Sequence, residues 1–315
     1  MQEFNRPKYG WALKWYRTSM NHFWIPEEIP MSQDVTDYRR LPREYRESLD
    51  KTLSFLIFLD SLQTANLPNI NDYITAPEVN LCLTLQTADE AIHSQSYSYI
   101  LDSICQPHEQ QNILYQWKDD PHLYKRVSFI GGLYNEFIEN PTEFGLVKTC
   151  FANFILESIY FYSGFAFFYA LGRLGVMNGT VQEIRYINRD ELMHVVLFRN
   201  ILQEMRKENP HLFTAENIAI LRNMMAEAAD TEIAWGAYVI GDKIEGLNRT
   251  LIEQYIQYLC NERLKMIDME PLFPNVEKDP LPWVAKMANT NGIKTDFFEA
   301  KPTAYTKVAA VKDDL

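Results

Sequence analysis

Apolar residues return along this chain in alternating steps of three and four, and the strict alternation of a half-buried strand is nowhere sustained. Between Thr180 and Glu208 the stripe reads Ile184, Ile187, Glu191, His194, Phe198, Ile201 and Met205, a period that lays one side of a helix against a core. Between Pro77 and Pro107 a second stripe reads Val79, Leu83, Gln86, Glu90, His93, Tyr97, Ile100 and Ile104. The same pattern predicts helices from Pro42 through Gln63 and over 109–117, 121–139, 143–174, 214–244 and 248–268. Thr180 and Glu183 have the spacing of a capping box and are expected to open their helix after the turn Met-Asn-Gly-Thr. The expected fold class is all-α, a helical bundle. Residues 1–40, rich in aromatics and turn signals, read as an irregular arm. Residues 41–270 read as the bundle, and 271–315 as a C-terminal segment ending in a flexible tail.

Composition changes this picture in a few places. The formal net charge of −12 argues against nonspecific binding of nucleic acid, which needs a basic surface. The four cysteines, Cys82, Cys105, Cys150 and Cys260, form no C-x-x-C pair and are expected to be reduced thiols rather than a zinc site. The opening MQEFNRPKYGW lacks the apolar core of a secretory signal, so a cytoplasmic protein is expected. Thr149–Gly172 carries a single charge, Glu157, and is long enough to span a bilayer. Because the other helices are amphipathic, it is expected instead to be the central helix of a bundle, with no membrane partner. A lone carboxylate on such a helix is costly to bury and calls for a counter-charge.

That counter-charge is the key to the two stripes. Each is apolar except at a pair E-x-x-H, Glu90 with His93 and Glu191 with His194. Each pair is preceded on another helix by one inward carboxylate, Asp60 in LSFLIFLDSL and Glu157 in the apolar run. Four inward carboxylates repel one another severely unless cations neutralise them. Two metal ions, each with one imidazole and shared carboxylates, meet that need, as in ferritin-like di-iron and di-manganese bundles. An oxygen-rich donor set of this kind suits iron or manganese better than zinc or copper. Tyr97 lies one turn past His93 on the same stripe, about 6 Å further along the axis. It reads either as a core aromatic with a bonded hydroxyl or as a redox-active phenol near the metals.

FWIPEE (23–28), FLDSLQ (58–63), DEAIHSQSY (89–97), LESIYFYSGF (156–165) and RDELMH (189–194), in this order, resemble the radical-generating small (beta) subunit of class I ribonucleotide reductase. The resemblance implies a ferritin-like bundle with a dinuclear metal centre: two irons first, with two manganese ions or one of each as alternatives. It implies Asp60, Glu90 and His93 as ligands of one ion and Glu157, Glu191 and His194 as ligands of the other. Tyr97 matches the radical tyrosine, and Phe161, Phe165 and Ile187 match the apolar residues that shield it. Trp24 matches the tryptophan that passes electrons, Asp190 the acid that links it to His93, and Tyr305 a tail tyrosine that relays the radical. The implied partners are a second copy in a homodimer, the large (alpha) catalytic subunit engaged through the C-terminal tail, and, as a further candidate, an activating flavoprotein.

The chain has no phosphate-binding glycine loop and no cysteine set for reducing nucleotides, so its activity as a ribonucleoside-diphosphate reductase is expected only with that large subunit. Two other functions compete. A ferritin-type storage protein needs neither Tyr97 nor Trp24. A di-iron oxidase or desaturase needs an open apolar channel, where Phe161 and Phe165 are expected to fill the space.

Overall fold

The computed structural model describes residues 4–289. Among them are twelve α-helices, joined by short turns, and no strand. The bundle runs α3 (Arg43–Asn71), α4 (Pro77–Ile104), α5 (Pro107–Asp119), α6 (Pro121–Glu139), α7 (Glu143–Ile155), α8 (Tyr162–Arg173), α9 (Asn178–Glu208), α10 (Ala215–Val239) and α11 (Arg249–Met266). Proline supplies the first helical residue of α4, α5 and α6, where its fixed φ suits the helix and its missing N–H has no partner to lose. Asp120 caps α6, its side chain accepting from the backbone of His122 and Leu123. Thr142 and Thr214 cap α7 and α10 in the same way.

Several features differ from the sequence-based expectation. The arm is not irregular: it holds α1 (Gly10–Met20) and α2 (Ser32–Arg40). Both are short, α2 is largely polar, and tertiary contacts hold them. Trp15 of α1 is buried and its indole donates to the Met193 carbonyl at 2.7 Å. Helix α3 continues past Gln63 to Asn71 with Pro68 inside it, because Leu67 and Ile70 are fully buried. And the Thr180–Glu183 capping box does not form. Helix α9 opens earlier, after Met177, which adopts a left-handed φ of 55°. Its free backbone amides are taken by Asp34 of α2, which accepts from Gly179 at 2.9 Å and Thr180 at 2.6 Å. A Cβ on Gly179 would lie 2.8 Å from the Pro30 carbonyl, so only glycine permits this approach of α2 to α9. Asp34→Ala is therefore expected to destabilise the fold by about 1–2 kcal/mol, measurable as a Tm lowered by a few degrees. An unchanged Tm would remove Asp34 from this role.

The apolar helix is interrupted. Between α7 and α8, Leu156–Tyr160 form a single π turn, a wider winding often found at functional sites. The whole stretch Glu143–Arg173 is apolar enough to span a membrane, yet its most apolar part is fully buried by the other helices. It is the core helix of the bundle. The π turn at its centre packs against α9, α10 and α11, and α3, α4, the π turn and α9 each bring a carboxylate to one shared place.

Candidate metal centre

Four helical segments bring Asp60, Glu90, His93, Glu157, Glu191 and His194 together, all six with no exposed surface. Their donor atoms form two cation-sized groups. Asp60, Glu90, His93 and Glu191 make one, and Glu90, Glu157, Glu191 and His194 the other, with all donor atoms of a group within 4.8 Å of one another. Glu90 and Glu191 belong to both. His93 Nδ1 lies 3.1 Å from Glu191, 3.6 Å from Glu90 and 3.9 Å from Asp60. His194 Nδ1 lies 2.7 Å from Glu191, 3.3 Å from Glu90 and 3.6 Å from Glu157.

The donors fit a metal pair on their own chemistry. Both oxygens of Asp60, Oε2 of Glu90, Oε2 of Glu157, Oε1 of Glu191 and Nδ1 of His93 are buried without a hydrogen-bond partner. Such atoms are expensive to leave unmade, and here they converge on two shared volumes. The acidities agree. Burial, and then neighbouring carboxylates, push Asp60 and Glu90 upward, and burial chiefly carries Glu157 to about 8. Glu191 goes the other way: burial and Glu90 oppose its ionisation, but His93 and His194 outweigh them. Both imidazoles are pushed upward: burial opposes their charging, but the carboxylates around each ring, Glu191 with Asp190 and Glu90 at His93 and Glu191 with Asp89 and Glu157 at His194, together outweigh it. Protons are doing the work of cations, and deprotonated ligands can exchange them for metal ions.

The outer contacts are reciprocal. Asp190, next to Glu191 on α9, faces His93 Nε2 of α4 at 3.6 Å. Asp89, next to Glu90 on α4, faces His194 Nε2 of α9 at 3.5 Å. Metal-binding imidazoles typically rest their second nitrogen on such an acid. Asp190 also accepts from the Trp24 indole at 2.8 Å and from Arg189 Nε at 2.9 Å. Trp24, His93 and Asp190 thus form a continuous buried line. Asp89 was not singled out from the sequence, although the pattern D-E-x-x-H stands in it twice.

Further polar residues escaped the sequence reading. Gln63 and Gln86 both donate to Oε1 of Glu157, which leaves Oε2 free to face the metal volume. Tyr134 donates to the Gln63 carbonyl at 2.8 Å and so fixes which end of that amide faces Glu157. The stripe had marked Gln86 as inward without assigning it a task.

Tyr97 is fully buried and its hydroxyl has no hydrogen-bond partner. Burial first, and then the charge of Asp60, push the phenol well above its ordinary value, so it is neutral at any physiological pH. Phe161, Phe165 and Ile187 are fully buried in the same core, the two phenylalanine rings stacked at 5.7 Å. Tyr305 lies outside the described residues.

The profile of the family "Ribonucleotide reductase, small chain" matches residues 1–280. The chain belongs to this family. It is 58% identical over 317 residues to the ribonucleoside-diphosphate reductase subunit beta of Treponema pallidum, covering all of this chain and 90% of that one. Among solved structures, the ribonucleotide reductase R2 subunit of Clostridium botulinum superposes with a TM-score of 0.90 at 48% identity, over 92% of this chain and 91% of that one. The dimanganese(II)-NrdF of Streptococcus sanguinis superposes with a TM-score of 0.81, over 91% of this chain and 98% of that one. At 21% identity it shows the shared fold alone. The fold is the ferritin-like one expected, with a dinuclear metal site in its core. The activity is that of ribonucleotide reductase, of which this chain is a radical-generating small subunit.

Proposed function

We propose that Asp60, Glu90 and His93 hold one metal ion and Glu157, Glu191 and His194 the other, with Glu90 and Glu191 shared between them, and that Tyr97 carries the radical. The observation behind this reading is the convergence of orphaned, fully buried carboxylate oxygens on two volumes that share two residues. Six O and N donors with one imidazole per ion favour iron or manganese, and a pair of irons is proposed. When bound, the pair supplies a one-electron oxidant generated from oxygen or, for manganese, from a reduced oxygen species delivered by an activating flavoprotein.

The chain's own residues do the rest. Tyr97 would give up one electron to that oxidant together with its phenolic proton, with Asp60 the carboxylate whose charge bears most strongly on the phenol. A buried, unbonded phenoxyl is cut off from water and from reductants, which makes it persistent. Trp24 and Asp190 supply an electron path by way of His93. Tyr305 and the residues after about 300 carry the oxidation to, and dock on, a large catalytic subunit, while the chain pairs with a second copy of itself in the cytoplasm. The test is metal analysis and electron paramagnetic resonance of natively expressed protein. Two metal ions per chain with an organic radical support the reading, and a single ion or none contradicts it.

Two variants separate the parts. Deleting residues 301–315 is expected to leave metal loading and the radical intact and to abolish turnover with the large subunit, since a docking segment pays only its own ordering cost. Undiminished turnover would make the tail and Tyr305 dispensable. Trp24→Phe keeps an aromatic but removes the indole donor to Asp190. It is expected to load two ions normally and to slow radical formation by at least about tenfold, the loss that typically follows from cutting such an outer contact. Parent-like kinetics would take Trp24 off the path.

A further inference from the structure

Glu157 points where it does because of the π turn that carries it. Winding one extra residue into a helix shifts everything beyond it by about 100° and 1.5 Å, and it is sustained only where something satisfies the displaced backbone groups. Here that something is a buried ion pair. Arg126 of α6 and Glu232 of α10 are each within 1% of complete burial and in direct contact. Arg126 Nη2 also donates to the Tyr160 carbonyl at 2.8 Å, and Glu232 Oε1 accepts from the Ser163 amide at 3.3 Å. Those two backbone groups flank Phe161 and Tyr162, where π winding gives way to α8. The pair is therefore wired into the helix at the junction, from carbonyl to guanidinium to carboxylate to amide. Tyr160 is tied to α10 a second time, through its hydroxyl and that of Thr231 at 3.1 Å.

The cost of this arrangement is visible. Nε and Nη1 of Arg126 have no partner, and the guanidinium lies 3.5 Å from the centre of the Phe55 ring and 4.3 Å from that of Trp235. A buried ion pair in such a setting is commonly no more stable than an apolar pair of similar volume. Stability alone does not account for it, and its backbone contacts do.

We propose that the Arg126–Glu232 pair is a positioning device for the metal centre: it holds the π turn, and through it presents Glu157 to one of the two metal volumes. The other volume, made by Asp60, Glu90, His93 and Glu191, contains no residue of this helix. The pair therefore acts on one ion and not on both. This rests on Glu157 being a ligand.

The test replaces both partners at once, Arg126→Met with Glu232→Leu, so that no buried charge is stranded. Metal-free protein is titrated with manganese(II) and followed by electron paramagnetic resonance, with thermal unfolding as the control for folding. The double variant is expected to unfold near the parent's temperature and to bind its first ion as the parent does. Its second ion should bind about 10–100-fold more weakly, leaving isolated-ion signals where the parent shows a coupled pair. Arg126→Lys, which keeps a cation with donors for both Tyr160 and Glu232, should restore much of the second step. Parent-like binding of both ions by the double variant, equal weakening of both, or no difference between Arg126→Lys and the double variant would overturn the inference. Glu157→Ala tells two failures apart. If it takes one ion while the double variant takes two, the positioning role alone is wrong. If it takes two itself, its role as ligand falls, and the inference with it.

Discussion

Tyr97→Phe is expected to bind two metal ions and consume oxygen, yet to form no stable tyrosyl radical and to support no ribonucleotide reduction with the large subunit. The phenylalanine ring fills the same volume among buried neighbours, so packing survives. The lost hydroxyl makes no hydrogen bond in the parent, and its removal should change stability by no more than about 1 kcal/mol. Misfolding is thus excluded as an explanation of inactivity. The measurement is radical content and nucleotide reduction of variant and parent, loaded identically and mixed with the same large subunit. Equal turnover would mean that the oxidant is stored on the metals and that Tyr97 is only a core aromatic.

Glu157→Ala is expected to lose one of the two metal ions while remaining a folded helical protein. It also changes how the metal-free protein responds to pH. Burial raises the Glu157 carboxyl to about 8 in the folded chain, against about 4.3 for an unperturbed glutamate. A group raised on folding contributes stability that is fully present below its unfolded value and lost as pH rises through its folded value. The metal-free parent should therefore weaken between about pH 4 and 8, and the alanine variant should weaken less over the same range. The cavity left by the truncation lowers the variant at every pH and does not affect this difference in slope. Thermal unfolding of both proteins across that range, without metal, checks it. Parallel curves, or full occupancy of both metal positions in the variant, would contradict the assignment of Glu157.

What the sequence conveyed, and what it did not, follows from range. The six donors and Tyr97 stand out in the linear pattern because each interrupts an apolar stripe whose period is local, and the period survives folding unchanged. Helices α4, α5, α6, α9 and α11 were recognisable for the same reason, within a few residues at their ends, and α7 and α8 only as one continuous helix. Helices α1 and α2 were not, since their stability comes from contacts such as Trp15 with Met193, far apart in the chain. The capping box at Thr180 failed because Asp34 supplies the cap from another helix. Its spacing was right and its competitor was invisible. Asp89 could have been found, since it repeats the position of Asp190 before the second E-x-x-H. The π turn could not: nothing in LESIY distinguishes wide from ordinary winding, and the groups bonded at its end, Arg126 and Glu232, lie on two other helices.

The central claim is that oxidation at the dinuclear site ends on the phenol of Tyr97. The most direct measurement is the electron paramagnetic resonance spectrum of the metal-loaded, oxygen-exposed parent, made with ordinary and with ring-deuterated tyrosine. A radical whose hyperfine structure narrows on deuteration, and which is absent from Tyr97→Phe prepared in parallel, is the expected result. A spectrum indifferent to deuteration, or one that persists in Tyr97→Phe, would contradict it.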